Sequence, residues 1–446
     1  MTLITMGAAP EAIKLTVSPS PAPVPALAFR LLPIESELTP GNAAPIYLRL
    51  SCELWPEGKK DLDEKLPAWA GLPPNLFPAA EARKFIDSWQ QRLDQLAYGA
   101  RRETCDWNYT LPEERANAMD ILLPDAQEMR TWARLLSLKA RVEILEGKPI
   151  DAVRTVETGL ALARHVARGP FVINAIVGIS YSTSALAQVD NLVAIPGAPN
   201  LYWSLTALPR PLIGIRRGVE HDAKMAEWML GLNDLHQPRT DVEWSERLDR
   251  LHARLTSLKG SLKPEGLDPR METPAGFRTV ALPRAREVLK TAGIPAEGLA
   301  DDRLILMAYA AAYQKFKDDY IKSSYLPFDQ AGPFYKQDRL FEEKSGPFWF
   351  IYSSMTTSIR SAHEFDAKLD RKVAALRVVE ALRLQAGRSG RLPGSLDEVT
   401  VVPIPTDPYS GKAFAYQLDG DTATLSGHVP NGQEASGLIY QITLRK

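Results

Sequence analysis

The sequence predicts a mainly α-helical protein, an irregular multi-helix bundle with a small C-terminal α+β module of about three antiparallel strands. Three observations carry this reading. Apolar residues recur every three or four positions from about Ala80 to Leu262, the spacing of one helix face. A later stripe, Leu369, Val373, Leu376, Val379, Leu382 and Ala386, ends at Gly387, with Gly390 and Pro393 beyond it as stop signals. After that helix the period falls to 2: Phe414, Tyr416 and Leu418 alternate with Ala413, Ala415 and Gln417.

Four segments follow in order. Residues 1–78 are proline-rich, with Pro19, Pro21, Pro23 and Pro25 alternating and Thr39-Pro40-Gly41-Asn42 as a turn signal. They predict an extended N-terminal arm with a strand or two, around Ile46 to Leu54, lying against the body. Residues 79–262 form the helical body. Phe85, Trp89, Leu93 and Leu96 mark one helix; Trp132, Leu135, Leu136, Ala140 and Ile144 mark another. Gly147-Lys148-Pro149 breaks the pattern before Val153, Val156, Leu160 and Ala163 resume it, which predicts an antiparallel helical hairpin. Trp244, Leu248, Leu251, Leu255 and Leu258 make a narrow seam on a charged helix, as expected of an edge helix docked on the bundle.

Residues 263–353 read as a loop, then helices, then an aromatic-rich connector. The stretch Lys259 to Arg284 carries Gly260, Pro264, Gly266, Pro269, Pro274 and Gly276 and reads as a loop or boundary. Helices are expected at about Pro283 to Ala292 and Ala300 to Lys322, with the connector from Tyr325 to Tyr352. Residues 354–446 hold the long helix, from about Met355 to Ala386, and the sheet. Asp419-Gly420 is the expected hairpin turn, Thr422 to Ser426 the return strand, and Leu438, Tyr440, Ile442 and Leu444 the last strand.

Small residues at Ala140, Gly147, Ala152 and Gly159 make the hairpin resemble one tetratricopeptide unit. The following segments do not repeat it, and such arrays need about three stacked units. The body is therefore expected to be tetratricopeptide-like rather than a repeat array. The tail carries Leu392-Pro393-Gly394-Ser395-Leu396, then Asp407-Pro408-Tyr409-Ser410-Gly411-Lys412 leading into the hairpin. With these motifs it resembles the globular end of the major pseudopilins of type II secretion systems. The chain as a whole, including the turn Leu208-Pro209-Arg210-Pro211-Leu212, resembles large bacterial proteins, abundant in planctomycetes, that append this module to a helical body. The resemblance implies a fold and brings no biochemical activity with it.

Two departures limit what it implies. Pseudopilins polymerise through an N-terminal apolar helix with a processing site, a pattern that Met1 to Leu15 does not show. In pseudopilins the loop after the hairpin is acidic and can hold calcium. Here Gly427 to Gly437 carries His428, Asn431, Gln433 and a single carboxylate, Glu434. Asp419 and Asp421 in the turn, with Glu434, are the calcium candidates, fewer than the several oxygens this cation takes. No metal or other cofactor is expected.

Composition narrows the partners. Lys+Arg 53 against Asp+Glu 54, with no run of five like charges, argues against nucleic acid or anionic lipid as the main partner. Cys52 and Cys105 are read as free thiols rather than a disulfide or zinc site. Gly169 to Val189 lacks charge, but Asn174, Ser180, Ser182, Thr183, Ser184 and Gln188 predict a buried helix rather than a transmembrane one. With no secretory signal in the first residues, the chain as written is expected in the cytoplasm. A start further upstream encoding a signal peptide would place it in the periplasm or cell envelope.

No catalytic constellation appears. Gly178-Ile179-Ser180-Tyr181-Ser182 lacks the final glycine of a nucleophile elbow and sits in a helical stretch. The six histidines are scattered, and His221-Asp222 and His363-Glu364 are helix neighbours that point about 100° apart. The aromatic residues Phe334, Tyr335, Phe348, Trp349 and Tyr352 are candidates for an interaction surface, or else fill the seam between body and tail. The expected function is a non-enzymatic scaffold or protein-interaction component with a protein partner. One alternative is a hydrolase with a carboxylate-lined cleft between body and tail, using residues such as Glu364 and Asp366. Another is a structural component of an envelope or secretion-related assembly.

Overall fold

A computed structural model describes residues 11–52, 56–109, 124–262, 269–336, 349–429 and 436–445. The expected architecture is present: fourteen α-helices among the described residues and a small C-terminal sheet with three antiparallel strands. The centre is a slab of three helices, α5 (Pro124–Leu145), α6 (Pro149–Ala167) and α7 (Val172–Val193). Gly147, at φ +70°, makes the reversal between α5 and α6 with a left-handed residue that glycine adopts without strain. One side of the slab, including Leu162, Val166 and Val177, closes an N-terminal core with Trp89, Trp107 and Trp132. The other side, including Val156, Leu160 and Val189, joins a larger core that runs through to the C-terminal sheet.

α7 is the one described helix long and apolar enough to cross a membrane, and 61% of its apolar window is buried inside the fold. Neighbours on α5, α6, α9 (Arg216–Met229) and α14 (Trp349–Ser389) cover it, so its apolar surface is accounted for by packing. Gly178 allows the close approach to α6: a Cβ there would sit 2.7 Å from the Ala163 carbonyl oxygen. Trp244, Leu248, Leu251 and Leu255 of α10 (Asp241–Leu262) are buried in the larger core, so the seam docks on the bundle as its spacing predicts. Cys52 is exposed and Cys105 buried, and both are free.

Several expectations need correction. The strand expected around Ile46 to Leu54 is a helix, α1 (Ala44–Cys52). Ala44, Tyr47 and Leu50 are buried at a spacing of three, and the Asn42 side chain accepts from the Ala44 amide at 3.1 Å to start the helix. That spacing fits a helix face, and burial of that face outweighs the strand propensity of Ile46 and Tyr47. A second helix, α2 (Pro56–Ala70), follows. Thr39 to Asn42 is not a turn but a short strand, β2 (Thr39–Asn42), parallel to β3 (Arg102–Thr104). Gly41, at φ +123°, absorbs the register shift between them. The loop expected from Lys259 to Arg284 is shorter than predicted. α10 runs to Leu262 and α11 (Pro274–Thr291) begins at Pro274, because Thr273 caps it and proline is tolerated in a first turn. The connector contains a helix, α13 (Phe328–Lys336), after α12 (Asp301–Ile321).

The tail sheet has the order β1-β6-β5-β4, with β4 (Ala415–Asp419), β5 (Thr422–Ser426) and β6 (Ile439–Leu444) antiparallel. Asp419 pairs with Thr422, so the two-residue turn is Gly420-Asp421, one position later than expected. The strand that the sequence did not announce is β1 (Ile13–Val17), which lies parallel to β6 with Ile13 opposite Tyr440. Val17 is fully buried, and the proline-rich residues after β1 continue along α14. There Ser20 N donates to the Arg383 carbonyl at 3.2 Å, and Arg383 Nε donates to the Ser18 carbonyl at 3.1 Å.

The Asp407–Lys412 turn is held by its own residues. Asp407 is fully buried and accepts four hydrogen bonds: Arg371 Nε at 2.9 Å, Arg371 Nη2 at 2.8 Å, Tyr409 N at 2.9 Å and Ser410 Oγ at 3.0 Å. Gly411, at φ +68°, lets the chain reverse so that Asp407 N reaches the Lys412 carbonyl at 2.8 Å. The Tyr409 ring lies under the Arg371 guanidinium at 4.0 Å, and its hydroxyl donates to Glu364 Oε1 at 3.1 Å. Further along, Tyr202 of α8 (Tyr202–Thr206) donates its hydroxyl to the Pro403 carbonyl. Removing either partner of the Arg371–Asp407 pair strands a buried charge, so R371A and D407A are each expected to lose about 3–5 kcal/mol of stability. Urea denaturation measures this, and the double variant should lose much less than the sum of the two.

Candidate functional site

Two hollows among the described residues carry charged side chains in their walls. The larger, about 800 Å³, lies between β3, the Arg168–Pro170 segment and α9, and it brings Cys105 and His221 to one surface. A reactive cysteine needs a depressed pKa. Burial instead pushes the Cys105 thiol up to about 12, and burial together with Arg217 and Lys224 lowers His221. The pair therefore does not make a thiolate–imidazolium couple. The rest of the wall mixes Glu35, Glu103 and Asp106 with Arg168 and Arg217, with no single charge preference.

The smaller hollow, about 270 Å³, lies where body meets tail. Its floor is one face of α14, from Asp370 through Val373 and Ala374 to Arg377. The Leu208–Leu212 turn supplies Pro209 and Arg210 on one side, and the Pro403–Pro408 segment closes the other. The floor faces this way because α14 is packed on every side: from Arg371 to Ala386 all residues except Lys372 and Gln385 are buried. Charged groups on such a helix must find partners or a cavity.

Most find partners. Lys372 Nζ meets Asp190 Oδ2 at 2.5 Å, and the Tyr440 hydroxyl donates to Asp190 Oδ1 at 2.8 Å, tying α7, α14 and β6 together. Arg383 and Glu380, both fully buried, pair at 2.8 Å, and Asn200 Nδ2 donates to Glu380 at 2.7 Å. Burial still raises the Glu380 carboxyl. Asp370 accepts from the Leu212 amide at 3.0 Å. One turn earlier, Asp366 is 7% exposed, and its Oδ1 is buried with no hydrogen-bond partner. Burial, and then the Asp370 charge, push Asp366 up to about 8. Burial raises Asp370 to about 6 against the pull of the Leu212 amide and Arg210.

The residues singled out from sequence scatter around this hollow. Phe334 and Tyr335 lie half-buried on α13, and the Tyr335 hydroxyl is 2.7 Å from His363 Nδ1. Burial lowers His363 to about 4, so it is neutral at physiological pH. Phe328, on the same helix, meets His363 edge-on and the Tyr409 ring at a tilt, so this residue, not singled out from sequence, lies between α14 and the tail turn. Trp349 and Tyr352 fall on the first turn of α14; their side chains, and Phe348 altogether, lie outside the described residues. Glu364 does not converge with Asp366: it is held by Tyr409, Ser436 and Lys368, whose hydrogen bonds and charge keep its carboxyl below the usual range despite burial. Asp419 and Asp421 are exposed at the hairpin turn, and Glu434 lies outside the described residues. No group of three or more His, Cys, Asp or Glu able to hold a metal ion occurs among the described residues.

Sequence reasoning missed Arg210, Asp370 and Arg377. The last two are seven residues apart, two helical turns, and so share one face of α14, but nothing in the sequence sets them apart from solvated charges. Comparison with protein-family models, curated proteins and solved structures returned no match.

The Asp366 shift predicts a pH dependence. Its folded pKa lies above the unfolded one, so its contribution is fully present below about pH 4 and is lost as pH rises toward 8. D366N, which needs no proton, is expected to be at least about 2 kcal/mol more stable than the wild type at pH 8, with the gap closing toward pH 4. Thermal melts across this range measure it.

Proposed function

We propose that the chain is a scaffold that engages a polypeptide partner through the groove between helical body and tail. The observation that carries this is the groove's wall: an apolar and proline-lined channel with a buried arginine and an under-compensated carboxylate on its floor. Pockets that recognise ligands combine such apolar walls with a few placed polar groups. The near-neutral net charge and the helical body support a protein partner over nucleic acid. The tail's resemblance to the pseudopilin module is consistent with an assembly role.

A photo-cross-linking residue at Thr406 tests the reading. It is expected to capture polypeptides that an identical probe at exposed Asp397 does not, and A374W, which fills the groove, should abolish the capture. Equal capture from both positions, or capture insensitive to A374W, overturns it.

A hydrolase is the second reading, favoured by one observation: Asp366 and Asp370, one turn apart, both hold raised carboxyls as a general acid and its partner would. Turnover of a nitrophenyl ester or glycoside panel that D370N eliminates would establish it; turnover absent in the wild type removes it.

A further inference from the structure

Three arginines of α14 are buried, and they provide an internal comparison. Arg371 is paired with Asp407, and Arg383 with Glu380, each at 2.8 Å. Arg377, 7% exposed, has neutral partners instead: its Nε donates to Thr206 Oγ1 at 2.9 Å and its Nη2 to the Tyr202 hydroxyl at 3.4 Å, with the Tyr202 ring 5.4 Å away. Among the described residues no carboxylate lies within ion-pairing distance of it, and it lines the groove. A buried guanidinium is ordinarily paired, because removing the charge from water costs several kcal/mol that neutral acceptors only partly return. The groove therefore presents a cation that lacks its anion.

The rest of the floor sets the shape of what supplies that anion. Asp370 and Arg377 share a helix face and stand about 10.5 Å apart along its axis, with Val373 and Ala374 between them. Two residues of extended chain span about 7 Å, and the reach of the arginine side chain covers the remainder. Ile404 and the flanking prolines Pro403 and Pro405 form the facing wall. Prolines carry no N–H, so a ligand there cannot be zipped on as an added strand and has to be recognised by its end and side chain. A volume of about 270 Å³ suits one or two residues and not a long segment.

We infer that the groove receives the free carboxyl-terminal end of a partner polypeptide with an apolar last residue, its carboxylate paired with Arg377. The last side chain rests on Val373, Ala374 and Ile404, and a backbone N–H upstream donates to Asp370. This rests on the reading of the groove as a partner site and adds which part of the partner enters it. Arg is suited to the task because its planar fork matches a carboxylate with two parallel hydrogen bonds.

The test uses the full chain and a fluorescein-labelled pentapeptide, Gly-Ser-Gly-Ala-Val, as the free acid and as the C-terminal amide, with binding followed by fluorescence anisotropy. The free acid is expected to bind at least tenfold more tightly than the amide. R377Q should erase that difference by weakening the acid alone, and R377K should restore part of it. The acid–amide comparison on the wild type stands even if R377Q fails to fold, which circular dichroism checks. Equal binding of acid and amide overturns the inference, as does failure of both to bind while Thr406 still cross-links to partners, an outcome that leaves the interaction reading intact. Acetate or free valine competing as well as the peptide, with no cross-linked polypeptide, overturns both.

Discussion

The bidentate ion pair between Arg371 and Asp407 is the constraint on which the tail and its groove depend. Neither residue has more than 1% of its side chain exposed, so neither tolerates the other's absence. The pair also spends nearly all its hydrogen-bonding capacity: Arg371 reaches the carbonyls of Ser436 and His428, both at 2.8–2.9 Å, while Asp407 organises its own turn. The turn, the β5–β6 connection and α14 are therefore held at one point. An apolar pair of the same volume would bury as well but would not fix the rotation of the turn, and that rotation puts Pro408 on the groove wall.

α14 shows two treatments of buried charge. Arg371, Lys372, Glu380 and Arg383 each meet an opposite charge, and together they join the helix to the tail turn, α7 and the N-terminal segment. Asp366, Asp370 and Arg377 occupy one further face and are left incompletely compensated. Charges in a core are normally satisfied, so incompletely satisfied ones are the exceptions in this helix, and two of the three, Asp370 and Arg377, line the groove. The contrast within a single helix separates the charges that tie it to its neighbours from those on which the proposed binding groove rests.

How much of this was legible in the sequence depends on how local each feature is. The α5–α6 hairpin, the α10 seam and the β4–β5 hairpin follow from periodicity and turn residues within a few positions of each other. The parallel pairing of β1 with β6 and of β2 with β3 has no local signature, because strands so far apart in sequence are joined only by the completed fold. α1 was misread because its β-branched and aromatic residues favour strand, while its true determinant, the surface that buries Tyr47 and Leu50, comes from elsewhere in the chain. The groove was half legible. Its turn and tail motif stood out as punctuation, but Asp370 and Arg377 looked like solvated charges on an amphipathic helix, since a sequence does not show that α14 is covered from Arg371 to Ala386.

The placement of β1 has a consequence for how the chain is made. Ile13 leaves the ribosome more than four hundred residues before its partner Tyr440, a delay of at least about 20 s at typical synthesis rates. Throughout that interval Leu15 and Val17 have no β6 to lie against, and the sheet closes only once β6 has been made. The alternating prolines that follow, Pro19 to Pro25, lack the amide protons needed to extend an unwanted pairing. The segment that looks least structured therefore limits how far the unpaired strand could pair with anything else.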